Sequence, residues 1–357
     1  MSSLPSTADV VIVGAGMAGL TAARTLIRAG LDVVVLEARD RVGGRMHSVS
    51  TDTGVIDLGA TWFWPNEPFV QAFLHEYGLT AFPQRESGDA LLVQSGGHVY
   101  RLPQNADTSP SYRVTGGAQA LPMAIAAALP SGSVVLDSPV HAIAGASDSV
   151  TVHAASGSIR AGQVIVAMPP SLALDQITFT PVLPAPVGDR ARRTAVWMGD
   201  MVKAVVRYER PFWREHGMSG FIFSEEGPFR ELHDHSGPDD QPTALFGFAP
   251  AATFAGKEPS TIGDAMVRQL KALYGDVAIQ PLGVVATNWR QERYTSPRQA
   301  APDATTASFG DALFRQPLLD GRVFLASTEA SEAFAGHVEG AIRTGLDVAT
   351  LILRERS

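Results

Sequence analysis

Hydrophobic residues form an unbroken β-branched run at residues 10–13, which predicts a buried strand near the start of the chain. A glycine-rich segment follows, and an apolar stretch rich in Ala and Leu predicts a helix over residues 20–29, ended by Gly30. Residues 32–36 predict a second strand that ends in Glu37. This order of strand, glycine-rich turn, helix, strand and acid is typical of a βαβ unit that binds a dinucleotide.

The glycine-rich segment, Gly14-Ala15-Gly16-Met17-Ala18-Gly19, has the spacing that this chemistry requires. Gly14 permits a tight turn, Gly16 lets the backbone approach a pyrophosphate, and Gly19 lets helix and strand pack closely. The helix N-terminus offers free N–H groups to the phosphates. Glu37 can accept hydrogen bonds from both ribose hydroxyls and would repel a 2′-phosphate, which argues against NADP.

A second glycine pair follows the second strand and favours FAD over NAD. It lies in the segment Glu37-Ala38-Arg39-Asp40-Arg41-Val42-Gly43-Gly44-Arg45. Glycines flanked by arginines suit the second phosphate of a longer cofactor, with Ala38, Arg39, Gly44 and Arg45 as candidate contacts. The alternative is a solvated basic loop in which the glycine pair is accidental.

Composition narrows the class of protein. The chain has 357 residues, enough for two domains with their own cores, and a net charge of −8 that makes nucleic acid an unexpected partner. It contains no cysteine, which excludes disulfides, thiolate metal sites and a thioether link to a flavin. No secretory signal and no apolar run of membrane-spanning length are visible, so we expect a cytoplasmic protein.

Further motifs follow in a fixed order along the chain. They are Asp57-Leu58-Gly59-Ala60-Thr61-Trp62, Gly116-Gly117, the strand with Val140, residues 164–170, 179–184 and 201–206, Arg210-Pro211-Phe212-Trp213, Asn288-Trp289, residues 324–329 and residues 336–341. With these motifs, the chain resembles the flavin-containing amine oxidases, which include monoamine and polyamine oxidases. The resemblance extends from about residue 10 to residue 350 and identifies a shortened, bacterial-type member.

The resemblance implies an α/β fold with two domains. A discontinuous, Rossmann-like FAD-binding domain would comprise residues 1–80, 115–190 and 295–357. An inserted α+β substrate domain on a mixed sheet would comprise residues 81–114 and 191–294. The family's cysteine that binds FAD covalently is replaced by Arg298, so the resemblance implies noncovalent FAD.

The resemblance also assigns cofactor contacts beyond the first unit. Trp62, Trp289 and His337 would surround the isoalloxazine, and Glu329 would reach the pyrophosphate or ribityl region through water or backbone. Val338 would lie at a helix N-terminus whose dipole stabilises negative charge on the flavin. The remaining implied contacts are Gly59, Ala60, Thr61, Val140, Ser327 and Gly336.

Two departures from the family pattern affect the expected substrate. The family's long helical insert is missing between the Asp57 motif and Gly116; only a strand-like unit at 92–100 and a turn-rich linker at 103–110 remain. Either a larger substrate then approaches from solvent, or a second subunit supplies the wall and makes a homodimer. The two tyrosines that monoamine oxidases place around the amine are replaced by His337 and Gln299, which we take as candidate catalytic residues.

The resemblance gives Lys203 the role of the family lysine that holds a water against flavin N5. The alternative is a lysine on an edge strand that faces water. The strand at 231–235 would lie on the substrate cavity, with Glu231 and His233 as pocket residues; a polar face of an exposed sheet is the alternative. Alternating histidines there also suggest a metal, but convergent ligands are not evident, and we predict none.

The expected reaction is FAD-dependent oxidation of an amine, and the expected partner is a small-molecule amine or an amine-bearing substrate. Hydride would leave the amine-bearing carbon for flavin N5, the imine product would hydrolyse, and O₂ would reoxidise the flavin. Two alternatives keep the fold. One is a desaturase or protoporphyrinogen-oxidase-like enzyme that removes hydride from carbon without nitrogen, and the other is a flavin-binding partner subunit without turnover.

Overall fold

The computed structural model describes residues 4–103 and 110–356. Its strands are numbered in chain order: β1 Thr7–Val13, β2 Val33–Leu36, β3 Ser48–Thr51, β4 Gly54–Asp57, β5 Ala81–Pro83, β6 Asp89–Val93, β7 Val99–Leu102, β8 Tyr112–Val114, β9 Val134–Val135, β10 Val140–Gly145, β11 Val150–Ala154, β12 Gly157–Val166, β13 Thr178–Thr180, β14 Met201–Tyr208, β15 Met218–Ser224, β16 Glu231–Asp234, β17 Thr243–Pro250, β18 Gly283–Asn288 and β19 Val323–Leu325.

The α-helices connect and cover these strands. They are α1 Met17–Arg28, α2 Pro68–Glu76, α3 Ala120–Ala128, α4 Pro170–Gln176, α5 Ala185–Arg192, α6 Phe212–Glu215, α7 Ser260–Tyr274 and α8 Val338–Glu355. Within the described ranges, no helix is both long and apolar enough to cross a membrane.

The first βαβ unit forms as the hydrophobic pattern predicts. Strand β1 pairs in parallel with β2 on one side and with β12 on the other. Helix α1 begins at Met17, three residues before the predicted start, because Gly16 is its extended N-cap and Leu20 N already donates to Gly16 O at 2.9 Å. Residues 10–13 alternate between two apolar clusters, one on each face of the sheet.

Two glycines allow the close packing of this unit. Gly14 has a φ of +104°, and a Cβ there would lie 2.8 Å from the carbonyl oxygen of Ala167. A Cβ on Gly19 would lie 2.0 Å from the carbonyl oxygen of Gly14. Only glycine at these two positions therefore lets α1 pack directly against the end of β1.

Within the described residues, this unit belongs to an eight-stranded sheet with the order β13-β10-β11-β12-β1-β2-β9, and β19 pairs in parallel with the end of β12. Helices α1 and α8 pack on one face, where their apolar residues join those of β1. The carboxyl ends of the parallel strands β1, β12 and β19 therefore meet at one edge, where ligands bind in this type of fold.

The second large sheet has the order β18-β14-β17-β16-β15-β6-β7 and is mixed, because β15 and β6 are parallel and the other pairs are antiparallel. Helix α7 covers one face and completes a separate core. The expected α/β fold with a Rossmann-like sheet and a second mixed sheet is confirmed. The domain limits inferred from the sequence stay a prediction.

The strand-like unit predicted at 92–100 is a β-hairpin with somewhat wider bounds. Residues 89–102 make a hairpin, β6 and β7, because Gly96 and Gly97 adopt φ values of +90° and +79° and turn the chain. Most of the predicted linker at 103–110 lies outside the described residues.

One face of the mixed sheet carries a continuous row of opposed residues across six strands. From the interior outward, the row is Lys203, Phe248, Glu231, Phe223, Leu92 and Tyr100. Phe223 and Tyr100 are each 48% exposed. The outer part of this face is thus apolar and uncovered by the described residues, beside the expected position of the missing insert.

Candidate active site

A cavity of about 580 Å³ extends from the carboxyl end of β1 to the face of the mixed sheet. Every predicted cofactor contact of the glycine-rich segment and of the 38–45 segment lines it, except Gly19, which packs inside the βαβ unit. Predicted contacts further along the chain also line it: Gly59, Ala60, Thr61, Trp62, Val140, Trp289, Ser327, Gly336, His337 and Val338.

Glu37 lies at one end of the cavity and is 4% exposed. One carboxylate oxygen accepts from Ala15 N at 2.7 Å, and the other accepts from Arg39 N at 3.0 Å. A carboxylate offers about four acceptor positions, so capacity remains for two further donors. Glu37 is therefore held by two backbone donors with acceptor capacity left for a ligand, and Val140 lines the same cavity.

The middle of the cavity consists of backbone. A Cβ on Gly16 would have no neighbouring atom within 4 Å and would project into open space. Gly44 faces it with a φ of +56°, and an added Cβ there would lie 3.6 Å from the Cα of Gly16. With the α1 N-terminus beside them, these glycines leave room for a pyrophosphate against N–H groups.

Glu329 contacts the cofactor region through Arg45 rather than directly. Glu329 is fully buried, does not line the cavity, and accepts two bonds from the Arg45 guanidinium at 2.6 and 3.1 Å. Its role follows from that fork, which holds the arginine at the cavity wall. Nearby, the buried hydroxyl of Ser327 has no hydrogen-bond partner in the described part of the chain, although Ser327 lines the cavity.

These observations fit FAD. The acid at one end, the bare glycine backbone in the middle and the unpaired hydroxyl of Ser327 match a ribose, a pyrophosphate and a polyhydroxyl chain in sequence. At the other end, Trp62 and Trp289 provide flat apolar walls, and each indole N–H is satisfied elsewhere, by Gln84 Oε1 at 2.9 Å and by Leu58 O at 3.0 Å.

Lys203 lies behind the cavity wall. Its side chain is fully buried, and Nζ donates to Gly59 O at 3.1 Å and to the hydroxyl of Thr61. The Phe246 ring centre lies 4.2 Å from Nζ. Burial lowers the pKa of Lys203 to about 7, the carboxylate of Asp57 opposes this shift, and the charge of Arg113 adds to it. The predicted edge-strand alternative is therefore wrong. Lys203 contacts two residues of the cavity wall, Gly59 and Thr61, and its role beside the flavin stays a prediction.

The two predicted pocket residues, Glu231 and His233, differ in their position relative to the cavity. Glu231 lines the cavity, whereas His233 lies beneath it, stacked between Phe221 and Phe246 and bonded through Nε2 to Glu231 Oε1 at 2.6 Å. Histidine 235, the other member of the pair considered for metal, is buried and accepts a bond from Asp57 N at 2.9 Å.

Gln299 is not brought to the cavity. It lies in a segment without regular secondary structure and lines a separate cavity of about 430 Å³, whose lining comes from residues within 171–200 and 290–304. His337 does line the main cavity, and its ring lies 5.2 Å from that of Trp64.

The sequence interpretation missed Trp64, Trp197 and Glu67. Trp64 and Trp197 line the cavity, and Glu67 lies behind it, bonded to His337. Trp64 stands two residues after the predicted contact Trp62, a spacing that places both side chains on one side of an extended segment. No local pattern marks Glu67 or Trp197.

Comparison with known proteins agrees with this geometry. The family model for flavin containing amine oxidoreductases matches residues 17–111 and 103–353. A putrescine oxidase from Kocuria rosea is 26% identical over 458 residues, covering 97% of this chain and 95% of the relative. An L-amino acid dehydrogenase from Synechocystis sp. is 27% identical over 457 residues, covering 98% and 95%. A solved putrescine oxidase bound to putrescine has the same fold, with a TM-score of 0.86 at 24% identity over 99% of this chain and 100% of that one.

The fold and the cavity define a flavin-dependent oxidoreductase that uses FAD. The chain belongs to the family of flavin-containing amine oxidoreductases, as the match across most of its length shows. The alignments run over more positions than the 357 residues of this chain, so the relatives contain internal segments that it lacks. The family match is split at residues 103–111, where the sequence predicts the shortening.

Two neighbouring glycines separate packing from cofactor binding. We expect Gly19→Ala to lower the free energy of unfolding of the apoprotein by about 1–3 kcal/mol, because its Cβ overlaps the Gly14 carbonyl. Gly16→Ala should lower the free energy of unfolding by no more than about 1 kcal/mol, because alanine is a poorer N-cap than glycine. It should raise the dissociation constant for FAD roughly tenfold or more, because its Cβ enters the cavity. Urea unfolding and fluorescence titration with FAD measure the two effects, and equal behaviour of the variants would contradict the assignment.

Lys203 should make stability depend on pH. Between pH 7 and about pH 10, the unfolded chain keeps a proton that the native chain has lost, so the free energy of unfolding rises with pH. Relative to Lys203→Met, the unsubstituted apoprotein should gain about 2 kcal/mol between pH 7 and pH 9. Urea unfolding at both pH values measures this difference. Lys257→Met, a substitution at an exposed position, is the control. If the difference in unfolding free energy between the unsubstituted protein and Lys203→Met is the same at pH 7 and pH 9, Lys203 is charged in the native state.

Proposed function

We propose that this protein oxidises a small cationic amine to an imine, which is released and hydrolysed in water. When bound, FAD supplies the acceptor for the hydride from the amine-bearing carbon and passes the electrons on to O₂. The observation that carries the proposal is one continuous cavity that joins the dinucleotide end at Glu37 to an aromatic end with a carboxylate, Glu231.

The aromatic end favours a substrate with an apolar body. Trp62, Trp64, Phe248 and His337 line it, and the rings of Trp62 and Phe248 lie 6.5 Å apart. Such walls exclude water and present flat faces to a hydrocarbon group or to a cationic nitrogen. The putrescine oxidase and the L-amino acid dehydrogenase among the relatives act, by their names, on compounds with an amino group.

Charge at the cavity favours a cation. Glu231 is half-exposed, and the hydrogen bond from His233 lowers the pKa of its carboxyl, so it is ionised at neutral pH. The cavity's arginines do not offset it, since Arg39 pairs with Glu292 and Arg45 with Glu329. An ammonium group is therefore attracted to this end, and a carboxylate is not.

Lys203 supports O₂ as the acceptor. Burial lowers the pKa of Lys203 to about 7, so its side chain can exchange between the charged and the neutral form near neutral pH. The charged nitrogen is separated from the cavity by Thr61, whose hydroxyl accepts its hydrogen bond. It can stabilise negative charge that develops on O₂ beside the wall, in a medium where few waters screen it.

The shortened wall leaves two occupants for the apolar face outside Glu231. A longer amine can extend along the row from Phe248 to Phe223 and Tyr100, or a second copy of the chain can cover it. Soluble proteins seldom leave such patches uncovered, which supports the homodimer. The homodimer and a cytoplasmic location stay predictions.

Anaerobic mixing of the FAD-loaded protein with amines tests the function. Amines should bleach the flavin absorbance, and compounds of the same shape without nitrogen should not. Bleaching by a nitrogen-free compound would favour carbon–carbon dehydrogenation, and no bleaching by any compound would favour a non-catalytic partner subunit. Admission of O₂ should then restore the absorbance within seconds; restoration only by an added dye would identify a dehydrogenase.

Glu231→Gln should weaken binding of a cationic amine. Removing a half-exposed charge changes the interaction by about 1 kcal/mol, so we expect KM to rise roughly fivefold with little change in kcat. The difference should shrink in high salt. Glu258→Gln, on an exposed loop outside the cavity, makes the same change in net charge and serves as control. An unchanged KM for Glu231→Gln would place the ammonium elsewhere.

A further inference from the structure

Behind the aromatic end of the cavity, a buried carboxylate contacts the ring of a cavity-lining histidine. Glu67 is 1% exposed, and its Oε1 lies 2.6 Å from Nδ1 of His337, although 270 positions separate the two in sequence. The other oxygen of Glu67 accepts from Trp64 N at 3.2 Å. Each oxygen of the carboxylate therefore has one hydrogen-bond partner. Glu67 directly precedes α2, and its bond to Trp64 N fixes the side chain.

His337 is the charged or chargeable partner of Glu67 in the described part of the chain. A second buried acid nearby, Glu339, does not compete for the ring, because it is bonded to Arg343 and to Val70 N. The Glu67–His337 pair is thus separate from the structural ion pair of α8.

The contact fixes the tautomer of His337. With both oxygens of Glu67 acting as acceptors, Nδ1 carries the hydrogen, and in the neutral ring Nε2 keeps its lone pair. Among the described residues, no group is hydrogen-bonded to Nε2. The side chain is 37% exposed, lines the cavity, and packs against Trp64 and Phe334.

We propose that His337, oriented by Glu67, accepts the proton that an ammonium substrate must lose before its adjacent carbon can give up hydride. This step rests on the proposed function. The N–H bond of the ammonium breaks and an Nε2–H bond forms, which leaves a neutral amine and an imidazolium. The positive charge is conserved, and the imidazolium lies against the Glu67 carboxylate. The ring later returns its proton to water at its exposed side.

The proposal assigns different roles to the two residues. His337 touches the substrate and is a catalytic base. Glu67 reaches only His337 and is a positioning residue, which holds the tautomer and stabilises the imidazolium, as an acid behind a histidine does in other enzymes. Glu231 attracts the ammonium substrate, and the Glu67–His337 pair then removes its extra proton.

Two amines of similar size test the proposal by anaerobic flavin reduction at pH 7.5. One has a pKa near that of lysine, about 10, and the other carries electron-withdrawing groups that keep it neutral at this pH. In His337→Asn, reduction by the cationic amine should slow about 10²- to 10⁴-fold, the usual contribution of a general base. Reduction by the neutral amine should slow no more than about threefold. Added imidazole should restore part of the first rate.

Glu67→Gln separates charge from orientation. Glutamine keeps an acceptor for Nδ1–H but removes the negative charge, so kcat for the cationic amine should fall about tenfold or more with KM unchanged. Glu76→Gln, an exposed acid at the end of α2, is the control and should leave both constants unchanged. Long-range proton–nitrogen NMR of the apoprotein, assigned with His337→Asn, should show the Nδ1–H tautomer at His337.

Several outcomes would overturn the proposal. Equal slowing of both amines in His337→Asn would show that His337 only shapes the cavity. An Nε2–H tautomer, or Glu67→Gln with the kcat of the unsubstituted protein, would remove Glu67 from the step. If the unsubstituted protein reduces FAD with neither amine, nor with others, the proposed function fails and the base with it, whereas the first outcomes leave that function intact.

Discussion

The contact between Gly19 and the carbonyl of Gly14 is the constraint on which the site depends. Because α1 rests on the end of β1 with no side chain between them, its free N–H groups face the cavity. The same approach brings Ala15 N within reach of Glu37 at the end of β2. A helix displaced by one methyl group would disturb both the phosphate end and the ribose end together.

The segment from Asp57 to Trp62 joins the two sheets. Asp57 N donates to His235, which directly follows β16 of the mixed sheet, and Gly59 O and Thr61 accept from Lys203 of β14 in the same sheet. Some residues of this segment thus line the cavity, while their neighbours are bonded to the mixed sheet. The buried Lys203 thus links the mixed sheet to the segment from Asp57 to Trp62 through its hydrogen bonds, between regions that have separate apolar cores.

The nucleotide end was predictable from sequence because its signals are local: glycine spacing, strand periodicity and Glu37 all lie within 30 residues or so. The substrate end was less so. Glu67 meets His337 only through the tertiary fold, and Gln299 was assigned through a loop in which spacing carries no register. The prediction put His233 on the correct strand, but Glu231 lines the cavity and His233 lies beneath it. The adjacent Gly96 and Gly97 are the local signal for the turn between β6 and β7.

The apolar face from Phe223 to Tyr100, which no described residue covers, changes what can discriminate between substrates. A closed chamber rejects a molecule whose outline does not fit, so its selectivity is steep and depends on shape. An open apolar ledge adds affinity in proportion to the contact that a molecule makes, at about 25 cal/mol for each Å². Homologous compounds that differ by one methylene would then be graded by a factor of a few rather than sorted into accepted and refused. Tolerance of chain length is the natural property of such a ledge.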